Sequence, residues 1–215
     1  MKKKKSLTQS TKNMVLIAIF CAIIIVMQLT GIGLIPLPGI KLTTLHIPVI
    51  LGSVLLGPKA GAIFGATFGV CSIWANTTNP GLTSYVFSPF MSTTGWVGAL
   101  KAIWIALGCR ILLGVFAGFL WKLIKMIKVE GHSIPDIIVL PIAAALSTLF
   151  HTVLVLSQMY LLFSKSLNVA YDQIMELIMV AVAGNGIFEM VTAVIIVTML
   201  GITLRKYINT EDKVN

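Results

Sequence analysis

The feature that most constrains this chain is a succession of long apolar runs that carry their charges at the ends and almost none in the middle. In a bilayer every backbone N–H and C=O must be satisfied internally, so an apolar run of about 20 residues is read as a spanning helix. Composition agrees. Hydrophobic residues make up 57% of 215, charged residues 11%, and mean hydropathy is +0.98. A soluble domain carries roughly a quarter charged residues, and this much exposed apolar surface in water drives association. The expected fold is all-α: a polytopic membrane protein with six transmembrane helices in one membrane domain.

The spans are expected at residues 14–35, 43–56, 60–74, 101–124, 135–163 and 174–204. The second is short for a hydrocarbon core, so it is either a short helix or a partly irregular span inside protein. Residues 36–42 hold two prolines and a glycine and read as a turn or loop. The third span carries Gly61, Gly65 and Gly69, a four-residue spacing that lets two helices approach closely. Residues 76–96 mix Asn, Thr, Ser, Gly and Pro with Tyr85, Phe87, Phe90 and Trp96, which predicts a long, functional loop.

A net charge of +9 suggests nucleic acid at first sight. The distribution excludes that reading. Lys2 to Lys5, Lys12, Lys59, Lys122, Lys125, Lys128, Arg205, Lys206 and Lys213 mark one set of span ends, while only Lys41, Lys101 and Lys165 mark the other. The positive-inside rule then places both termini in the cytoplasm and residues 36–42 and 76–96 outside. Residues 1–12 form a basic cytoplasmic segment and 205–215 a cytoplasmic tail. The first apolar run lacks a clear small-residue cleavage site and is read as a retained span. Cys21, Cys71 and Cys109 show no metal-ligand spacing, so no metal is expected.

Ionisable and amide groups at membrane depth are costly and usually face a bundle interior or a cavity. Here they are Arg110 in span four, His151 and Gln158 in span five, and Asn185 and Glu189 in span six. Gln158 lies two turns from His151 on one face, and Asn185 and Glu189 lie one turn apart. All fall in the last three spans, beneath the aromatic outer loop, and can converge on one polar pocket. Two roles stay open. Arg110 and Glu189 can neutralise each other as a structural pair, and the amides and His151 can be inter-helix glue. Lys101 is either a positive charge at the pocket mouth or an interfacial anchor. In span one, Ala18 and Ala22 form an A-x-x-x-A pair, suited to a partner helix or to packing within the bundle.

No catalytic motif, nucleotide-binding loop or carboxylate cluster is present, so an enzyme is not expected and the chain alone cannot use ATP. Two further classes would use the same residues. An intramembrane enzyme with His151 and Glu189 as acid and base lacks a nucleophile or metal set. A small proton-coupled transporter or channel would use the same two residues as a relay.

The whole pattern resembles the S component, the substrate-binding subunit, of an energy-coupling factor (ECF) vitamin transporter, an ABC-type importer. Six spans, cytoplasmic ends, the alanine pair and the long outer loop carry the resemblance along nearly the whole chain. So do the stretch from Thr43 through His46 and Pro48 to Gly61, the stretch from Thr83 to Phe90, and Gly184-Asn185-Gly186 with Glu189. The resemblance implies capture of one water-soluble vitamin from outside the bacterial plasma membrane. A transmembrane T component and two ATPase subunits would then drive uptake, the ATP being used by those partners and no cofactor by this chain. It implies contact with the T component through Ala18 and Ala22, and toppling of the whole subunit to carry its site inward. It also implies a site built from the outer halves of spans four to six with the outer loops. That gives Arg110, His151, Gln158, Asn185, Glu189, Lys101, Tyr85, Phe87, Trp96 and His46. The segments at His46 and at Ser88-Pro89-Phe90 are similar to pantothenate-type members. Arg110 or Lys101 suits a carboxylate, while His151, Gln158 and Asn185 suit an amide and hydroxyls. Because Glu189 offsets Arg110, pyridoxine, a hydroxymethylpyrimidine, riboflavin and, less well, folate remain alternatives.

Overall fold

A computed structural model describes residues 7–37, 40–80, 83–92, 94–129, 132–167 and 186–214. Among them the chain is helical apart from two short antiparallel ribbons. Four helical stretches are long and apolar enough to cross a membrane: Ser10–Leu29, Gly95–Met126, Asp136–Phe163 and Ile187–Tyr207.

The first helix, α1 (Leu7–Leu29), ends where Gly31 takes a left-handed φ of +73° and the chain turns back. The described residues on either side of 38–39 are more regular than a loop. Strands β1 (Leu34–Leu37) and β2 (Ile40–Thr43) pair antiparallel, with Leu34 opposite Thr43 and Pro36 opposite Lys41. A proline is tolerated here because both strands of a two-stranded ribbon are edges.

The ribbon delivers the chain to α2 (His46–Leu56). Eleven residues span only about 16 Å at 1.5 Å per residue, too short to cross. Every residue from His46 to Val54 is buried, so this short span is the centre of the bundle. A helix apolar on all sides belongs there. Gly57, at φ +89°, makes the sharp joint into α3 (Pro58–Thr78), which Pro58 starts at a position where no intrahelical N–H is needed.

The glycine spacing of α3 meets its partner in the fourth apolar stretch. That stretch is α5 (Gly95–Ile103), a π-helical turn (Trp104–Gly108) and α6 (Cys109–Met126) in continuous succession. A Cβ on Gly61 would strike the backbone of Gly114, one on Gly65 the backbone of Arg110 and Ile111, and one on Gly69 that of Ala106 and Leu107. The two backbones therefore touch along a seam only glycine permits.

The segment 76–96 is mostly helical too. α3 runs on to Thr78 because Asn76, Thr77 and Thr78 bond the carbonyls of Ser72, Ile73 and Trp74 one turn back. A short helix α4 (Ser84–Phe87) and a 3-10 turn (Pro89–Met91) follow. They are tied to α3 by Ser84 Oγ donating to Asn76 Oδ1 (2.9 Å) and by the Thr77 and Ser88 hydroxyls (2.7 Å). At the other end, the ribbon β3 (Lys128–Val129) and β4 (His132–Ser133) leads into α7 (Asp136–Leu167). The last helix, α8 (Ile187–Val214), continues through the residues expected as a tail. The main core joins α1, α2, α3, α6, α7 and α8. A small second cluster of Val86, Ile105 and Phe163 seals the end beneath α4.

Candidate functional site

Arg110 is the second residue of α6, directly after the π-helical stretch, in which the Cys109 N–H bonds the Trp104 carbonyl. The Arg110 Nη1 donates to the Ile105 carbonyl at 2.9 Å. The guanidinium lies between two rings, 4.9 Å from the Phe68 centroid and 5.3 Å from Phe87. Its Nε has no hydrogen-bond partner, and the residue is only 7% exposed. Gly65 on α3 sets this geometry: its lack of a side chain lets α3 close on the Arg110 backbone, which brings Phe68, one turn on, over the guanidinium.

Phe68 also faces His151, at 6.1 Å between centroids, and His151 stacks on His46 at 6.3 Å and 23°. The four side chains form a continuous cluster from α6 through α3 and α7 to the first residue of α2. The His46 imidazole lies beside the backbone of Thr43 and Glu189, but neither ring nitrogen reaches hydrogen-bond geometry. Nε2 of His151 is likewise unpartnered and buried. Ser147 and Thr148, one turn before His151 on the same face of α7, bury hydroxyls without partners. Such a concentration of buried, unsatisfied donors and acceptors is unusual, since most buried polar groups are paired.

Glu189 does not meet Arg110. No ion pair joins them among the described residues, and Glu189 Oε1 accepts the Thr43 backbone N–H at 2.9 Å. This bond fixes the end of β2, three residues before His46. Among the described residues, the buried guanidinium thus has aromatic faces and a carbonyl around it but no carboxylate.

The other candidate residues fall elsewhere. Gln158 accepts from the Trp104 indole at 3.0 Å, joining α7 to the π turn. Lys101 donates to the Leu162 carbonyl at 2.8 Å and lies 5.9 Å over Phe163, joining α5 to the C-terminal part of α7. Tyr85 packs edge-on against Phe163 at 5.9 Å, and burial raises its phenol above the ordinary value, so it stays a neutral donor. Trp96 is 86% exposed and stands outside the cluster. Asn185 lies outside the described residues. The sequence reading missed Phe68, Ser147 and Thr148. The last two had a visible signal, being three and four residues from His151; Phe68 had none, because its role comes from the α3–α6 seam.

A family model for the ECF transporter substrate-specific component matches residues 12–201. The pantothenic acid transporter PanT of Lactococcus lactis subsp. cremoris (strain MG1363) is 34% identical over 210 residues, which cover 96% of this chain and 97% of that protein. The family match takes in nearly the whole helical bundle, including α2, the glycine seam and the Arg110 cluster, so the chain belongs to the substrate-specific components of ECF transporters.

Proposed function

We propose that this chain captures pantothenate from outside the cell and presents it to a transmembrane T component and two ATPase subunits. The observation that carries the ligand class is the buried Arg110. Among the described residues no carboxylate meets it, and a buried guanidinium is expensive unless a carboxylate, such as one on a ligand, pairs with it. Pantothenate has a carboxylate for Arg110 and an amide and hydroxyls for His46, His151, Ser147 and Thr148. The likeness to a pantothenic acid transporter supports the same choice. Phe87, on the short helix above Arg110, is the natural cover for such a ligand. Glu189 positions the approach to His46 through Thr43, and Lys101 and Gln158 brace α5 and the π turn against α7.

The topology proposed with it is six spans with both ends in the cytoplasm of a bacterial plasma membrane. α1, α3, the α5–α6 stretch, α7 and α8 supply five, α2 with its ribbon the remaining one, and the asymmetry of lysine and arginine the orientation. α1 supports a partner role. Ala18 and Ala22 are both exposed, and only 11% of its apolar window is buried, so this face is open to a T-component helix. Ala18→Trp is then expected to stop uptake by the assembled transporter and leave pantothenate binding by the chain intact. Loss of binding would place these alanines inside the bundle's own packing.

The decisive experiment is titration of the purified chain with pantothenate by calorimetry, together with uptake into proteoliposomes. Tight binding without ATP is expected, with uptake only when the T component and ATPases are present. Uptake by the chain alone, driven by a pH gradient, overturns the reading.

A further inference from the structure

A second charged cluster lies at the other end of the bundle, where α6, β4 and α8 meet. An open cleft of about 500 Å³ is lined by Trp121, Lys122, Lys125, Met126, Ser133 and Arg205. Trp121 is nearly buried and forms its wall. Lys125 lies 5.4 Å and Arg205 4.5 Å from the Trp121 ring centroid. Asp136 holds both cations, one oxygen on the Lys125 ammonium at 2.5 Å and the other on the Arg205 Nε at 2.9 Å. Lys125 also donates to the Ile134 carbonyl at 2.6 Å.

Two of the three cations at the cleft thus share the Asp136 carboxylate, and Lys122 stands apart from it. The terminal amino groups of Arg205 and the ammonium of Lys122 have no hydrogen-bond partner among the described residues. Arg205 is therefore oriented by its Nε and its aromatic face, with the terminal edge left for a planar, two-point contact of the kind phosphate accepts. On the apolar side, Met126 is 76% exposed, Leu123 48% and Phe119 58%, a strip that runs along α6 away from the cleft. A small soluble anion has no use for such a strip; an acyl chain does. Basic clefts between helix ends at the cytoplasmic side of a membrane take anionic headgroups in this way.

We propose that this cleft binds the phosphate of an anionic phospholipid headgroup, with Lys122 and Arg205 on the phosphate and the acyl chain along α6. The assignment is independent of the solute bound at Arg110. Phosphate free in solution shares the headgroup chemistry, and the test separates the two.

Native mass spectrometry of the detergent-solubilised full chain, titrated with dioleoylphosphatidylglycerol or dioleoylphosphatidylcholine, reads the site directly. Preferential retention of phosphatidylglycerol is expected. Lys122→Gln and Arg205→Gln should each weaken it about fivefold, since one basic group near a membrane surface contributes about that much to anionic lipid affinity. Lys128→Gln, on the ribbon outside the cleft, should leave it unchanged. Lys122 has no hydrogen bond or ion pair among the described residues, so its variant keeps the test sharp even where Arg205→Gln disturbs the Asp136 pair. Unchanged phosphatidylglycerol binding in Lys122→Gln overturns the proposal. So does an equal loss in Lys128→Gln, which would mean diffuse surface charge. Displacement of the lipid by excess inorganic phosphate would make the cleft a site for the free ion, and overturns the lipid assignment.

Discussion

The molecule holds two arginines, Arg110 and Arg205, and it treats them differently. Both lie over aromatic rings, Arg110 between Phe68 and Phe87 and Arg205 on Trp121. Arg205 has a carboxylate of its own in Asp136 and sits at the end of the bundle. Arg110 is deeper, has a carbonyl for one nitrogen and, among the described residues, no partner for its Nε, and has two imidazoles nearby. Arg205 is held in place by a carboxylate of the fold, which leaves only its terminal edge for a further anion. Arg110 is held by a carbonyl and two rings, the surroundings proposed above to receive the carboxylate of a ligand. The aromatic rings serve both cases, since they attract a cation without neutralising it.

The largest expected effect tests that contrast at Arg110. Arg110→Ala should weaken pantothenate binding about 100-fold or more, because truncating one partner of a buried charge pair costs several kcal/mol. Calorimetry against Cys109→Ala, a buried neighbour of no proposed role, gives the comparison. Arg110→Lys should recover part of the loss, with the charge kept and the two-point geometry gone. Equal effects at positions 109 and 110 would make Arg110 a packing residue.

Next in size is Gly65→Val. The seam has no room for a Cβ at this position, where it would meet the Arg110 backbone. Overpacking of this kind costs about 1–3 kcal/mol or more, and here it also moves Phe68 off the guanidinium. A lower melting temperature with weakened ligand binding is expected. Gly31→Ala meets open space but a left-handed φ, so it should cost about 1 kcal/mol of local strain and leave binding unchanged.

The same contrast shows what the sequence could and could not reveal. The apolar runs made the bundle legible, and the i, i+4 glycines announced a tight helix contact before its partner was known. Arg110 and His151 stood out because charge and imidazole are rare at depth. What could not be read were relations between distant segments. That α2 is the buried centre depends on the elements around it. Glu189 bonds the backbone of Thr43 across 146 residues, so its separation from Arg110 was invisible to spacing. The π turn just before Arg110 has no marker in Trp-Ile-Ala-Leu-Gly. The polar stretch at 76–78 read as a loop because Asn and Thr favour loops; their side chains bonding back onto α3 decided otherwise.

A smaller effect is expected at the other arginine. Asp136→Asn removes the charge that holds Lys125 and Arg205 together. These groups are partly exposed, so solvent screening limits the loss to about 1 kcal/mol. Thermal stability should fall slightly, and pantothenate affinity should not change. A large loss of affinity would mean that the two ends of the bundle communicate.

The smallest effect is expected at Gln158, and it is the most discriminating for the shape of the site. Its amide oxygen accepts the Trp104 indole N–H at 3.0 Å, two turns from His151 along α7. Side-chain hydrogen bonds between membrane helices contribute about 0.6 kcal/mol on average. If Gln158 only braces the π turn, Gln158→Ala should change pantothenate affinity by less than about threefold, that amount passed in full to the site. Trp104→Phe, which removes the same bond from the other side, should do the same. A tenfold loss in Gln158→Ala alone would show the amide leaving Trp104 to meet the ligand, and would extend the receptor from the arginine up to the outer turns of α7. Matching small effects in both variants would confine it to the cluster around Arg110, His151 and His46, where the unpaired polar atoms already are.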